Sequence, residues 1–251
     1  MPTIRLAWSL AICLTFSAMQ ANAADGDLAR LVDGLIASRG DLNQRYDSKF
    51  NVDGGQIPLL FWAVSRWDVT TVEKLLKGGA NPNIESLPNS RMTALFEAPT
   101  SIDMEPDQKR AQERRAASLR ICELLVKHKA DVNYAGKLGD TPLHKAAQNG
   151  REDICALLIA NGAKANSPDR LGATPLHKAA RNGFWKVVEI LLKNKADANA
   201  VDALKSTPLK TAEARAEEGT QQEIRKKFGN GYFPDSDYDK TIAILKKAST
   251  K

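Results

Sequence analysis

A ten-residue string occurs twice in this chain, 33 residues apart. Thr141–Gly150 (TPLHKAAQNG) returns as Thr174–Gly183 (TPLHKAARNG) with nine of ten residues identical. Thr207-Pro208-Leu209 opens a third copy one period later. A second marker keeps the same step: Ala130-Asp131-Val132-Asn133, Ala163-Lys164-Ala165-Asn166 and Ala196-Asp197-Ala198-Asn199. Two independent markers holding one period three times mean stacked units. A period in this range belongs to solenoids, propellers and arrays, in which one unit cannot bury its apolar face alone.

The residues inside the period specify the unit. Thr can cap a helix, and Pro at the first helical position loses no hydrogen bond. Leu143, Ala146 and Ala147 give an apolar stripe of small residues that lets a neighbour approach closely. Gly150 and Gly183 act as stops. Ile154, Leu157, Leu158 and Val187, Ile190, Leu191 carry the i, i+3, i+4 spacing of a second helix. Gly162-Ala163 and the Asn at 133, 166 and 199 then favour a turn. Each unit reads helix, turn, helix, loop.

These residues resemble the ankyrin repeat, for which a 33-residue length and a T-P-L-H-x-A signature are the handles. The likeness is strong over about 138–212 and weaker from about 25 to 137, where Ile57-Pro58-Leu59 and Thr93-Ala94-Leu95 stand in for T-P-L. Leu28–Asn43 reads as the second helix of a degenerate opening repeat, and Thr241–Lys247 as a final second helix. The expected fold is an all-α solenoid of helix-turn-helix units with short hairpin loops. Its single domain, 24–251, divides into a degenerate cap at 24–52, repeats at 53–87, 88–135, 136–168 and 169–201, and a C-terminal repeat and cap at 202–251.

The resemblance also implies where partners dock: on the turn tips before T-P-L-H and on the concave ends of the first helices. Carried over, the tips are Lys137, Leu138 and Asp140; Arg170, Leu171 and Ala173; and Ala203, Leu204 and Lys205. The helix ends give Gln148, Asn149, Arg181 and Asn182. Leu138, Leu171 and Leu204 recur at the period, three residues before each Thr. They are either an exposed apolar stripe, which signals contact, or covers for neighbouring turns. Phe184-Trp185 replaces Arg151-Glu152 of the preceding repeat, and Trp67 sits at a comparable bend. Aromatics there are rim packing or partner anchors. His144 and His177, identical in adjacent repeats, are scaffold, and the resemblance gives this His a structural hydrogen bond.

Cys122 and Cys155 each precede their loop Ala by eight residues, so they share one repeat position on the second helix. Neighbouring helices lie ~8–10 Å apart, whereas a disulfide needs Cα atoms within ~7 Å. Two buried thiols are expected, with a disulfide as the alternative.

Two insertions break the period. The first, near 97–119, predicts a helix over Asp107–Lys127 with a charged first half carrying Lys109, Arg110, Arg114, Arg115 and Arg120. It is a solvated extension or a basic prong. The second, near 217–239, gathers Phe228, Tyr232, Phe233 and Tyr238 in eleven residues, as a cap over the end of the stack or as aromatic anchors. Both lie between first and second helices, hence on one edge.

Composition bears on location and partner. Arg5, the apolar run Leu6–Phe16 and Ala21-Asn22-Ala23 have the form of a secretory signal peptide, residues 1–23, cleaved after Ala23. The apolar run is eleven residues long, short of the ~20 that span a bilayer. An uncleaved anchor is the alternative. Removing 1–23 leaves a net charge of +5, a surplus that favours an acidic partner surface and falls short of a nucleic-acid footprint. The destination expected is a bacterial periplasm, without further membrane attachment.

No Gly-rich phosphate loop, G-x-S-x-G, H-E-x-x-H or EF-hand loop occurs. No catalytic, cofactor or metal residue is assigned. The function expected is non-catalytic protein binding by a monomer, as scaffold or stabiliser of a partner protein. An immunity-type inhibitor of a toxic periplasmic enzyme is the alternative. A rival of another class, an enzyme, has only Tyr232, Asp235, Asp237 and Tyr238 of the second insertion to draw on.

Overall fold

The computed structural model describes residues 25–38, 40–43, 45–47, 56–87, 91–100, 108–217 and 237–250. The described elements run α1 (Asp25–Ala37), β1 (Arg45–Asp47), β2 (Gln56–Pro58), α2 (Leu59–Ser65), α3 (Val69–Lys77), α4 (Ala94–Glu97) with a 3₁₀ turn (Ala98–Thr100), α5 (Gln108–Lys127), α6 (Pro142–Gln148), α7 (Glu152–Ala160), α8 (Pro175–Arg181), α9 (Trp185–Lys193), α10 (Pro208–Glu217) and α11 (Tyr238–Ser249). First helices (α2, α4, α6, α8, α10) pack in one row and second helices (α1, α3, α5, α7, α9, α11) in another. The only paired strands among the described residues, β1 and β2, are antiparallel, and β2 runs directly into α2.

The repeated residues explain the stacking. Thr141 and Thr174 sit in extended conformation before α6 and α8, with Pro at the first helical turn. Ala146, Ala147, Ala179 and Ala180 are wholly buried, and their small side chains let adjacent first helices close up. Ile154, Leu158, Val188 and Leu191 of the second helices fill the gap between the rows. The apolar core is therefore continuous along the stack, and no single repeat owns it.

Three successive loops are each tied to the next by an asparagine that bonds the following backbone at two points. Asn133 Oδ1 accepts from Lys164 N at 3.0 Å while its Nδ2 donates to Gly162 O at 3.0 Å. Asn166 repeats this with Asp197 N at 2.8 Å and Lys195 O at 2.9 Å, and Asn83 with Asp131 N at 2.7 Å and Lys129 O at 3.1 Å. The periodic Asn is thus an inter-repeat clamp as well as a turn residue.

Cys122 and Cys155 are buried free thiols. Burial pushes Cys122 up to about 12, and Cys155 up as well, so neither is a thiolate at neutral pH.

The first insertion is a helical extension. The helix expected over Asp107–Lys127 is α5, Gln108–Lys127. Its turn nearest the core is fixed by Arg151, one of the most deeply buried side chains. Arg151 Nη1 donates to Ser118 Oγ at 3.0 Å and Nη2 to Arg115 O at 2.8 Å, both on α5. The same guanidinium pairs with Asp153 at 2.9 Å, and Ser118 Oγ donates to Ala98 O at 2.6 Å. Burial alone would raise the Asp153 carboxyl, but the hydrogen bonds and charge of Arg151 hold it below its ordinary range. Most of the second insertion, including Phe228, Tyr232 and Phe233, lies outside the described residues. The final second helix expected over Thr241–Lys247 is longer, Tyr238–Ser249.

Candidate functional site

Three successive tips are built alike. Asp169 N donates to Ala173 O at 2.9 Å and Asp202 N to Ser206 O at 3.1 Å, while Gly136 N donates to Asp140 O at 2.7 Å. Inside each turn the N–H of Gly139, Gly172 and Lys205 closes on the residue three before it, with φ of 78°, 73° and 54°. The Asp169 carboxylate accepts from Leu171 N at 2.8 Å and Ala173 N at 2.9 Å. Asp202 does the same for Leu204 N and Ser206 N, both at 2.9 Å. Asp169 and Asp202 stand 33 residues apart, a periodic signal that the tip reading above did not use.

Backbone bonds and histidines join the tips. Arg170 N donates to Leu138 O at 2.9 Å, and Ala203 N to Leu171 O at 2.8 Å. His144 Nδ1 accepts from Thr141 N at 3.1 Å, which places the ring proton on Nε2, 3.1 Å from Ala173 O in the next tip. His177 repeats this with Thr174 N at 3.1 Å and Ser206 O at 3.0 Å. These are structural bonds, and both rings are buried.

The tips turn apolar and cationic groups outward. Leu138, Leu171 and Leu204 are 65%, 57% and 86% exposed, so they do not cover neighbouring turns. Leu87 and Val201 are further exposed apolar side chains. Lys137, Arg170 and Lys205 are exposed beside the leucines. The acids face inward. Asp140 is buried and lies 3.5 Å from Lys178 Nζ, which also meets Asp169 at 2.6 Å. Burial works to raise the Asp169 carboxyl, and the hydrogen bond and charge of Lys178 outweigh it, so the group stays ionised well below neutral pH. Asp140 therefore belongs to the scaffold of the tip and is not a surface contact.

At the first-helix ends, Gln148 and Arg181 are exposed. Asn149 and Asn182 are half-buried, and their amides are engaged: Asn149 Nδ2 donates to Pro99 O at 2.9 Å, and Asn182 Nδ2 to Gln148 O at 2.7 Å. They stitch neighbouring repeats together. Phe184, expected at the rim, is 3% exposed and belongs to the core. Its ring lies over Gly150, where an added Cβ would sit 2.7 Å from it. Trp185 is half-buried, with Lys240 Nζ at 5.1 Å and Lys186 Nζ at 5.9 Å from its ring centre. At the other bend Arg114 stacks at 4.6 Å on Trp67. Tyr232 and Phe233 lie outside the described residues.

The described residues of the enzyme alternative are occupied structurally. Asp237 caps α11 by accepting from Lys240 N at 3.0 Å, and Tyr238 Oη donates to Arg181 O at 2.6 Å. Among the described residues no group of three or more His, Cys, Asp or Glu is placed to hold a metal ion, and no helix is long and apolar enough to cross a membrane.

Comparison with curated proteins returns no match. The family model described as ankyrin repeats, in 3 copies, matches residues 113–212. That stretch holds all of the tip ladder, both T-P-L-H strings and the first insertion's helix α5 from Glu113 onward, and the helices on either side continue its two rows. Residues 113–212 thus carry ankyrin repeats, and the described helices on either side extend them into an all-α solenoid.

Proposed function

We propose that this chain is an exported, non-catalytic binding protein that scaffolds or stabilises a partner protein in a bacterial periplasm. Ankyrin repeats are protein–protein interaction modules and are generally non-catalytic. The observation that carries the reading is the tip edge: three leucines at one repeat position stand 57–86% exposed, each next to an exposed base. Exposed apolar rows of this kind are uncommon on a surface with no contact to make. The acids of the same tips are turned onto their own backbone amides, which leaves the edge cationic and favours an acidic partner surface. The signal-like first 23 residues support export, and the chain acts as a monomer on its partner.

The test is capture from periplasmic extract by the purified chain, repeated with Leu138, Leu171 and Leu204 changed together to Ser. All three side chains are exposed, so the variant keeps its fold and loses the partner. A partner retained in full by the folded variant would mean another surface is used. Recovery of the processed chain starting at Ala24 in a periplasmic fraction tests the location. The same cationic edge supports a second reading, inhibition of an acidic periplasmic enzyme. Activity of the captured partner with and without the chain separates stabiliser from inhibitor.

A further inference from the structure

A second ladder runs along the loops that leave the second helices. Asn133 reaches Lys164 N and Gly162 O, and Asn166 reaches Asp197 N and Lys195 O. The loops at 127–133, 160–166 and 193–199 are therefore held side by side, with equivalent residues about one helix spacing apart, ~8–10 Å. Lysines line this edge. Lys127 and Lys129 stand on the first loop, Lys164 on the second, and Lys193 and Lys195 on the third, all exposed. Lys247 of α11 is exposed too and lines one hollow with Lys193.

Two of these lysines stand where the turn does not require one. The residue before the loop alanine is left-handed in four repeats: Gly79 at φ 97°, Gly162 at 90°, Lys129 at 69° and Lys195 at 63°. Glycine takes this conformation without the steric cost that an L side chain bears. A cation does complement the carbonyl end of a helix, but Lys127 and Lys193 already occupy the last turns of α5 and α9. The side chains of Lys129, Lys164, Lys193, Lys195 and Lys247 make no hydrogen bond or ion pair among the described residues. The acids beside them are Asp131, Asp197 and Glu189. The first two accept from Asn133 N and Asn199 N at 2.8 Å. Bases outnumber acids along the edge two to one.

The residue types separate this edge from the leucine tips. No exposed large apolar side chain lies on the three loops among the described residues. Protein interfaces are depleted in lysine and draw their energy from aromatic and arginine anchors. Lysine is a compact charge on a flexible stem, suited to spread-out negative charge and not to a shaped site.

We propose that this lysine edge seats the protein on an anionic phospholipid bilayer, by reversible contact with headgroup phosphates and with no inserted segment. The choice of lipid over nucleic acid rests on the export reading above. Each lysine close to an anionic leaflet strengthens binding about fivefold, and salt screens the attraction.

Co-sedimentation of the processed chain, starting at Ala24, with vesicles of equal parts phosphatidylglycerol and phosphatidylcholine tests the proposal, against vesicles of phosphatidylcholine alone. The anionic vesicles bind about tenfold more tightly or better, and raised salt removes the difference. Lys129→Gly/Lys195→Gly installs the residue that Gly79 and Gly162 place in the same turn. It weakens vesicle binding about tenfold or more, with an unchanged circular dichroism spectrum. Lys164→Gln/Lys247→Gln, which leaves both left-handed turns alone, gives a similar loss. The tip variant Lys137→Gln/Lys205→Gln removes the same charge elsewhere and binds as the parent does. The proposal is overturned by no binding, by equal binding to neutral vesicles, by full binding of both edge variants, or by an equal loss in the tip variant, which would make net charge the cause. Tighter binding of duplex DNA than of the anionic vesicles overturns it as well. The export reading fails separately: an unprocessed chain recovered outside the periplasm removes it and leaves the vesicle result standing.

Discussion

His144 is the residue at which local and long-range structure meet. One ring nitrogen closes its own helix start and the other holds the following tip. Burial, the largest influence, lowers its pKa to about 4 from 6.5, against the opposing pull of the Ala173 carbonyl and the Asp140 charge. A base whose folded-state pKa is depressed is neutral when folded, so the unfolded chain binds the extra proton between pH 6.5 and 4. Stability from this group is complete above pH 6.5, falls as the pH drops through that window and levels off below it, by roughly 3 kcal/mol in all. Urea midpoints from pH 7.5 to 4 measure it. His144→Leu lowers stability at pH 7.5 and flattens the acid slope, and an unchanged slope would show that other groups set it. Two tip positions make a contrasting pair. Gly139→Ala forces a side chain into a left-handed turn and against the backbone of the next tip, and costs about 2–3 kcal/mol. Lys205→Gly, at the same repeat position and already left-handed with φ 54°, changes stability by about 1 kcal/mol at most. Thermal unfolding of both variants decides it.

Among the elements, α5 shows how the solenoid absorbs an insertion. Seventeen extra residues disturb the period before Ala130, yet Cys122 and Leu125 remain in the core. The extension is pinned by one side chain from the following repeat, since Arg151 spans Ser118, the Arg115 carbonyl and Asp153. Arg151→Met removes the guanidinium that is hydrogen-bonded to Asp153, Ser118 and the Arg115 carbonyl, and costs about 2–4 kcal/mol. Amide exchange in 108–118 speeds up more than in 175–193, and uniform acceleration would contradict a local clamp. The helix rows were legible because the apolar spacing repeats at a fixed step. The clamp was not, because Arg151 fills the place that Phe184 fills in the next repeat, and a cation and a phenyl ring there look like a variable surface. Both are instead buried staples, Phe184 over Gly150 and Arg151 into α5. The repeat's variability at that bend reflects what each neighbour needs filled. The exposed tip leucines were readable because their period matches that of the core while their place falls outside the helices.

At the scale of the whole molecule, stability is a sum over neighbouring pairs, and the last repeat matters as a cover. Thr241 and Leu245 of α11 are wholly buried, as is Ala212 of α10. Tyr238 lies over Gly183, where an added Cβ would be 3.3 Å from its ring, and Asp237 N bonds Gly183 O at 2.8 Å. A chain ending after Ala200 therefore uncovers the side of α8 and α9 that packs on α10 and α11. A one-dimensional stack does not collapse when an end is removed; it loses the terminal interface and exposes the next one. The truncated chain keeps its helical signature, and its urea m-value falls by roughly a fifth with the surface it no longer buries. It self-associates through the uncovered face. The added changes Leu176→Glu and Val187→Lys do not rescue it, because those side chains still pack within the remaining repeats. A charge on the side of α9 that faces α11, such as Leu192→Lys, which shares a hollow with Ile244 and Ala248, should restore a monodisperse species by sedimentation. Complete loss of helix on truncation would instead mean that the repeats fold only as one unit, and the nearest-neighbour account of this stack would be wrong.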